Sequence, residues 1–173
     1  MRFIFCLFII FLTSCNFDIE ETQNHSIETS TTLEINNENC LEWKLGTEIN
    51  ISNLALIHQQ FFDELIDYNS FKLSDDEFDY SISKFIYRVN AVKDTQNNLS
   101  TIYKEISITN LSTQNLALEM FIETENALLL YKQYISTKND LDFNNARTYL
   151  DNSRTILSTV LKNLTENKAN CDV

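Results

Sequence analysis

Residues 74–106 read SDDEFDYSISKFIYRVNAVKDTQNNLSTIYKEI. The stretch opens on a capping box, in which Ser74 can accept the Glu77 N–H while Glu77 reaches back to the Ser74 N–H. The acids Asp75, Asp76 and Glu77 complement the positive end of a helix dipole. Behind this cap, Phe78, Ile82, Phe85, Val89, Val92, Gln96, Leu99, Tyr103 and Ile106 recur at steps that alternate between four and three. That spacing is the seam of a long helix lying along other helices, and it predicts one helix to about residue 106. Its weakest point is the polar run Asp94 to Asn98.

The same periodicity continues on both sides. Upstream, Ile51, Leu54, Ala55, Ile57, Phe61, Phe62, Leu65 and Tyr68 predict an amphipathic helix over about 48–69. Residues 40–46 hold the single tryptophan and the single glycine. They read as an irregular docked segment that turns at Gly46, with Thr47 or Asn50 capping the helix that follows. Downstream, residues 109–113 form a polar break. Ala117, Met120, Phe121, Thr124, Ala127, Leu128, Tyr131 and Ile135 then predict a helix over about 114–137. Asp140 or Asp142 begins a last helix, to about residue 167, with Phe143, Ala146, Leu150, Ser153, Leu157, Val160, Leu161 and Leu164 inward. One glycine and no proline in 173 residues leave little turn chemistry for a β-rich fold. The expected fold is all-α: an antiparallel up-down four-helix bundle over 40–173.

The chain starts MRFIFCLFIIFLTSC: one charge at Arg2, an apolar run from Phe3 to Leu12, then small residues and Cys15. This is the pattern of a secretory signal, too short for a membrane span of about 20 residues. Leu12-Thr13-Ser14-Cys15 resembles the lipobox of bacterial lipoprotein precursors. The resemblance covers these fifteen residues only. It implies a signal peptide over 1–14, cut before Cys15, and fatty acylation of Cys15. It also implies attachment to a membrane through that lipid. By the same resemblance, Asn16 is not the aspartate associated with inner-membrane retention, so the outer membrane is expected, on its periplasmic or its surface face. Residues 16–39 carry Asp18, Glu20, Glu21, Glu28, Glu34 and Glu38 and no lysine or arginine. Such a segment buries too little apolar surface to order itself, so 15–39 reads as the lipidated cysteine with a flexible acidic tether.

With Cys6 removed and Cys15 acylated, Cys40 and Cys171 remain, and an even pair in an exported protein reads as a disulfide. The topology agrees, because an even number of helices returns both cysteines to one end.

The net charge of −12, or −13 once Arg2 is removed, disfavours nucleic acid and anionic lipid as partners. Di-iron sites need Glu-x-x-His, attached haem needs Cys-x-x-Cys-His, and phosphate loops need several glycines; none is present. No metal site, cofactor or catalytic set is therefore expected. His58 falls among Leu54, Phe61, Phe62 and Leu65. It fits a ligand or pH switch, or more plainly a core-edge histidine bonded to a carbonyl or hydroxyl. Glu119 and Glu123, one turn apart, fit a cation site or a solvated face. Lys84 and Arg88 are expected to pair with acids. Leu118, Ile122 and Leu129 form a second apolar set opposite the core stripe of their helix. Either Trp43 with residues 40–45 covers this set, or a partner does. Tyr80 and Tyr87 pose the same choice.

The sequence thus points to a non-enzymatic, lipid-anchored bacterial envelope protein that binds a protein partner in an inhibitory, immunity-type or assembly role. The alternative is a small-ligand or cation binder in the bundle interior near His58 or Glu123. If the bridge exists, closing a loop of about 130 residues stabilises the fold by roughly 4–5 kcal/mol in the chain-entropy model. Cys171→Ser should lower the melting temperature and abolish the mobility change on reduction in a non-reducing gel, while the helical circular dichroism survives. Identical mobility of reduced and unreduced wild-type protein refutes the bridge.

Overall fold

The computed structural model describes the backbone of residues 27–166 and the side chains of residues 38–106 and 110–165. The signal stretch 1–14, Cys15, residues 16–26 and Cys171 lie outside the described residues. Five helices and no strand occur within them: α1 Ile27–Asn69, α2 Asp75–Ile102, α3 Lys104–Thr109, α4 Leu111–Thr137 and α5 Asp140–Glu166. The all-helical expectation holds, with one more helix than the periodicity indicated.

The capping box sits where the sequence put it. Ser74 Oγ accepts the Glu77 N–H at 3.3 Å, and the Ser74 N–H donates to Glu77 Oε2 at 2.8 Å. The Ser74 N–H and then the Ser74 hydroxyl, which donates to Glu77 Oε2 at 2.7 Å, hold the exposed Glu77 carboxyl below the ordinary carboxylate range. The long helix breaks at Tyr103, not at 94–98. Tyr103 leaves the helical region at φ −105°, ψ 49°, while its hydroxyl bonds the Glu42 carboxylate of α1. The six residues of α3 then lead through Asn110 directly into α4, so the expected break over 109–113 shrinks to one residue.

The largest correction concerns the start of the domain. Residues 40–46 are not an irregular segment, and residues 27–39 of the expected tether are helical; all belong to the 43-residue α1. With no proline to stop it, a helix anchored by packing extends at little cost per added residue. Gly46 is a contact, not a turn. A Cβ there would stand 2.8 Å from Leu99 Cδ2, so the missing side chain lets α2 approach. Thr47 and Asn50 are buried inside the helix and do not cap it.

The stripes meet in one core. Phe61 of α1 stacks with Phe78 at 6.0 Å and meets Phe85 edge-on at 5.7 Å; its ring centroid lies 5.1 Å from that of Tyr131 of α4. Tyr131 passes the contact to Phe143 of α5 at 5.4 Å. Burial without a partner for its hydroxyl among the described residues pushes Tyr131 up to about 12. Trp43 is fully buried in the same core.

Polar pairs record how the helices line up. Asn50, Gln60 and Tyr68 of α1 bond Gln96, Arg88 and Asp75 of α2 in turn. Gln114, Glu125 and Lys132 of α4 bond Gln96, Lys93 and Asp79. Thr113, Thr124 and Thr137 of α4 bond Asn163, Ser153 and Asp142 of α5. In each helix pair one number rises as the other falls.

Gly46 and Leu99 should therefore be coupled. Gly→Ala inside a helix gains up to about 1 kcal/mol of propensity, but here displaces Leu99. Leu99→Ala should cost roughly 2 kcal/mol in the wild type and clearly less in Gly46→Ala, measured by denaturant unfolding. Strict additivity would show that Leu99 moves aside freely.

Candidate functional site

The expected partner surface is only partly covered. Ile122 and Leu129 of α4 are each 48% exposed, and Leu118 is half-buried. Trp43 lies in the core, and Leu41 and Leu45 point to solvent, so residues 40–45 do not cover this set. On α2, Tyr80 and Tyr87 are exposed. Lys84 lies 4.2 Å over the Tyr80 ring and Arg88 donates to Gln60 Oε1 at 2.6 Å; among the described residues neither cation forms the expected pair with an acid. The two sets flank the α2–α4 seam, which is bridged by Lys93–Glu125 at 2.5 Å and Lys132–Asp79 at 3.2 Å.

Two surfaces went unread in the sequence. Leu41, Leu45, Ile49 and Leu56 line the outer side of α1, visible only once residues 40–46 are known to be helical. The second lies where the α1–α2 and α4–α5 turns meet. Helix α1 ends with Lys72 N–H to Asp67 O at 2.9 Å and Phe71 N–H to Tyr68 O at 3.0 Å, a Schellman arrangement. Its left-handed position, usually glycine, is Phe71 at φ 58°. Helix α4 ends on Lys138 at φ 53°, whose N–H bonds Tyr134 O at 2.7 Å. An L-residue with a side chain pays roughly 1–2 kcal/mol in that region. Lys138 Nζ bonds Asp75 Oδ1 at 2.6 Å and Tyr68 Oη at 2.9 Å, joining α4 to the other turn. These bonds hold the exposed Asp75 carboxyl low and the Lys138 ammonium high. Between the turns lies a groove of about 560 Å³, lined by Tyr68, Phe71, Leu73, Asp75, Tyr134 and Lys138.

Glu119 and Glu123 do not converge on a site. Glu119 is exposed, and Glu123 Oε2 accepts from Asn152 Nδ2 at 3.1 Å. No group of three or more metal-ligating side chains occurs among the described residues, and no helix there is long and apolar enough to cross a membrane.

His58 is 4% exposed, and its Nε2 lies 2.8 Å from Thr124 Oγ1 of α4. Thr124 Oγ1 lies 2.8 Å from Ser153 Oγ of α5, which donates to Met120 O at 3.0 Å. This buried chain ties three helices together. The His58 edge also borders a shallow groove of about 310 Å³ with Phe62, Asp63 and Arg154, whose guanidinium lies 3.9 Å over the Phe62 ring. Burial first, and then the Arg154 charge, push His58 down to about 4. The folded state therefore binds fewer protons than the unfolded state between about pH 6.5 and 4. Its stability contribution is complete above pH 6.5 and is lost on acidification through that window, a difference of roughly 3 kcal/mol. His58→Gln should flatten the pH dependence of the urea midpoint between pH 6.5 and 4; an unchanged profile would assign the acid sensitivity to carboxylates. No family model, no curated protein and no solved structure matches this chain.

Proposed function

We propose that the protein is a lipid-anchored, non-enzymatic component of a bacterial envelope, whose helical domain binds a protein partner. The observation that carries the partner reading is the contrast between a filled interior and apolar side chains left outside it. Phe61, Phe78, Met120, Phe121 and Tyr131 are fully or almost fully buried, while Ile122, Leu129, Tyr80 and Tyr87 stand out from helices that already have their core faces covered. Aromatic and branched side chains on rigid helices are the residue types that anchor protein interfaces. The net charge of −12 argues against nucleic acid. The anchor rests on the resemblance of Leu12-Thr13-Ser14-Cys15 to a lipobox, and Asn16 favours the outer membrane.

Within this reading the domain is an up-down antiparallel bundle of α1, α2, α4 and α5, with α3 as a connector. The opposed numbering of the polar pairs supports it. Such an order brings the end of α5 to the end of the domain that holds Cys40. Buried Cys40 packs on Ile106, and Asn163 reaches Thr113, which supports a bridge from Cys40 to Cys171.

Expression of the full precursor in a bacterial host with a fatty-acid probe tests the anchor. Wild-type protein should label and sediment with membranes, and Cys15→Ala should lose the label and the retention. Membrane retention of the unlabelled variant sinks the lipoprotein reading. In the same membranes, a photo-crosslinker replacing Ile122 should trap a protein that one replacing exposed Asn115 does not.

A further inference from the structure

Phe71 is the one side chain of the α1–α2 and α4–α5 turns whose position the fold does not explain. It occupies the left-handed position of the α1 terminus at φ 58° and is 96% exposed. Lys138, in the same backbone region, has a structural reason: its ammonium ties Asp75 and Tyr68 together. Among the described residues Phe71 makes no ring contact and belongs to no part of the core. Glycine would close the same turn without strain and without an exposed ring. Strain held at an exposed aromatic beside a groove is the pattern of a binding element.

The charge around it selects the partner. Residues 63–77 and 138–142 hold eight carboxylates and two lysines. Both lysines are already paired, Lys72 with Asp67 and Lys138 with Asp75. Among the described residues, Asp76, Glu77 and Asp140 are exposed and form no ion pair. Two copies meeting here would oppose their acids, and an anionic surface would be repelled. We propose that this end of the molecule docks a cationic protein segment, with Phe71 entering an apolar site on that partner and the groove beside it receiving a basic side chain. The inference rests on the partner-binding reading and adds the place and the chemistry of the partner. Lysine or arginine on the partner would find exposed Asp76 and Asp140 in the first turns of α2 and α5, and its aliphatic stem would lie along Tyr68, Leu73 and Tyr134 of the groove.

The test uses the full mature chain in detergent and two fluorescent peptides of about twelve residues. One interleaves lysine and arginine with leucine; the other carries glutamate at each basic position. The cationic peptide should bind, more weakly as salt rises, and the acidic one should not. Phe71→Gly should weaken binding at least tenfold while the melting temperature stays level or rises. That opposition separates a binding role from a structural one, since a residue needed for folding would lower both. Asp76→Lys with Asp140→Lys should also abolish binding. Failure of the wild type to bind the cationic peptide, or undiminished affinity in Phe71→Gly, overturns the proposal. A dimer that Phe71→Gly dissolves would make the occupant a second copy and overturn it as well. Binding lost in Ile122→Asp but kept in Phe71→Gly overturns this site and leaves the partner-binding reading standing.

Discussion

A fully buried amide, Gln96, sets the alignment on which the packing depends. Its Oε1 accepts from Asn50 Nδ2 at 2.9 Å, and its Nε2 donates to Thr47 Oγ1 at 3.2 Å and to Gln114 Oε1 at 2.8 Å. Apolar stripes alone are permissive, because a helix that slides by one turn still presents leucines and phenylalanines to its neighbours. An amide is not permissive. Left without partners in a low-dielectric interior, it costs roughly 1–3 kcal/mol for each unmet group. One side chain thus holds α1, α2 and α4 at a single mutual register. The chain through His58, Thr124 and Ser153 does the same for α1, α4 and α5, several turns away. Beyond the His58 set, on the side away from Gln96, sits Phe61, touching α2 and α4 at once. Two registers and one aromatic contact are enough to align all four long helices.

The parts of this arrangement that were legible share one property: they are periodic or local. The seam from Phe78 to Val89 and the set from Ala117 to Ile135 are buried as their spacing requires. The Ser74–Glu77 box needs only four consecutive residues. What misled was a residue with two physical uses. A lone glycine beside a lone tryptophan reads as a turn, yet Gly46 stays helical because its missing Cβ is what Leu99 needs. Whether a glycine serves its own backbone or a neighbour's side chain depends on a residue 53 positions away, and no local pattern contains that. The outer stripe of α1 was lost with the same error. The break at Tyr103 was invisible for a similar reason, since it accompanies a bond to Glu42 across the helix pair.

The candidate surfaces divide along the same line. Ile122, Leu129, Tyr80 and Tyr87 could be read because a helical wheel places them off the core face. The Phe71 groove could not. It depends on a left-handed residue at one turn lying beside the turn of another helix pair, and a phenylalanine gives no local sign of positive φ. A glycine there would have advertised the turn and removed the side chain that makes the turn unusual.

Geometry relates that groove to the start of the domain. From Trp43 to Tyr68, α1 rises for 25 residues, roughly 38 Å at 1.5 Å each. Nothing in the first turns of the packed domain therefore approaches Phe71. The stripe of Leu41, Leu45 and Ile49 lies at the opposite end of the same helix. One helix thus carries apolar side chains at its near end and a strained aromatic in an acidic setting at its far end. Two apolar surfaces fixed roughly 38 Å apart on one rigid helix cannot meet on one small ligand.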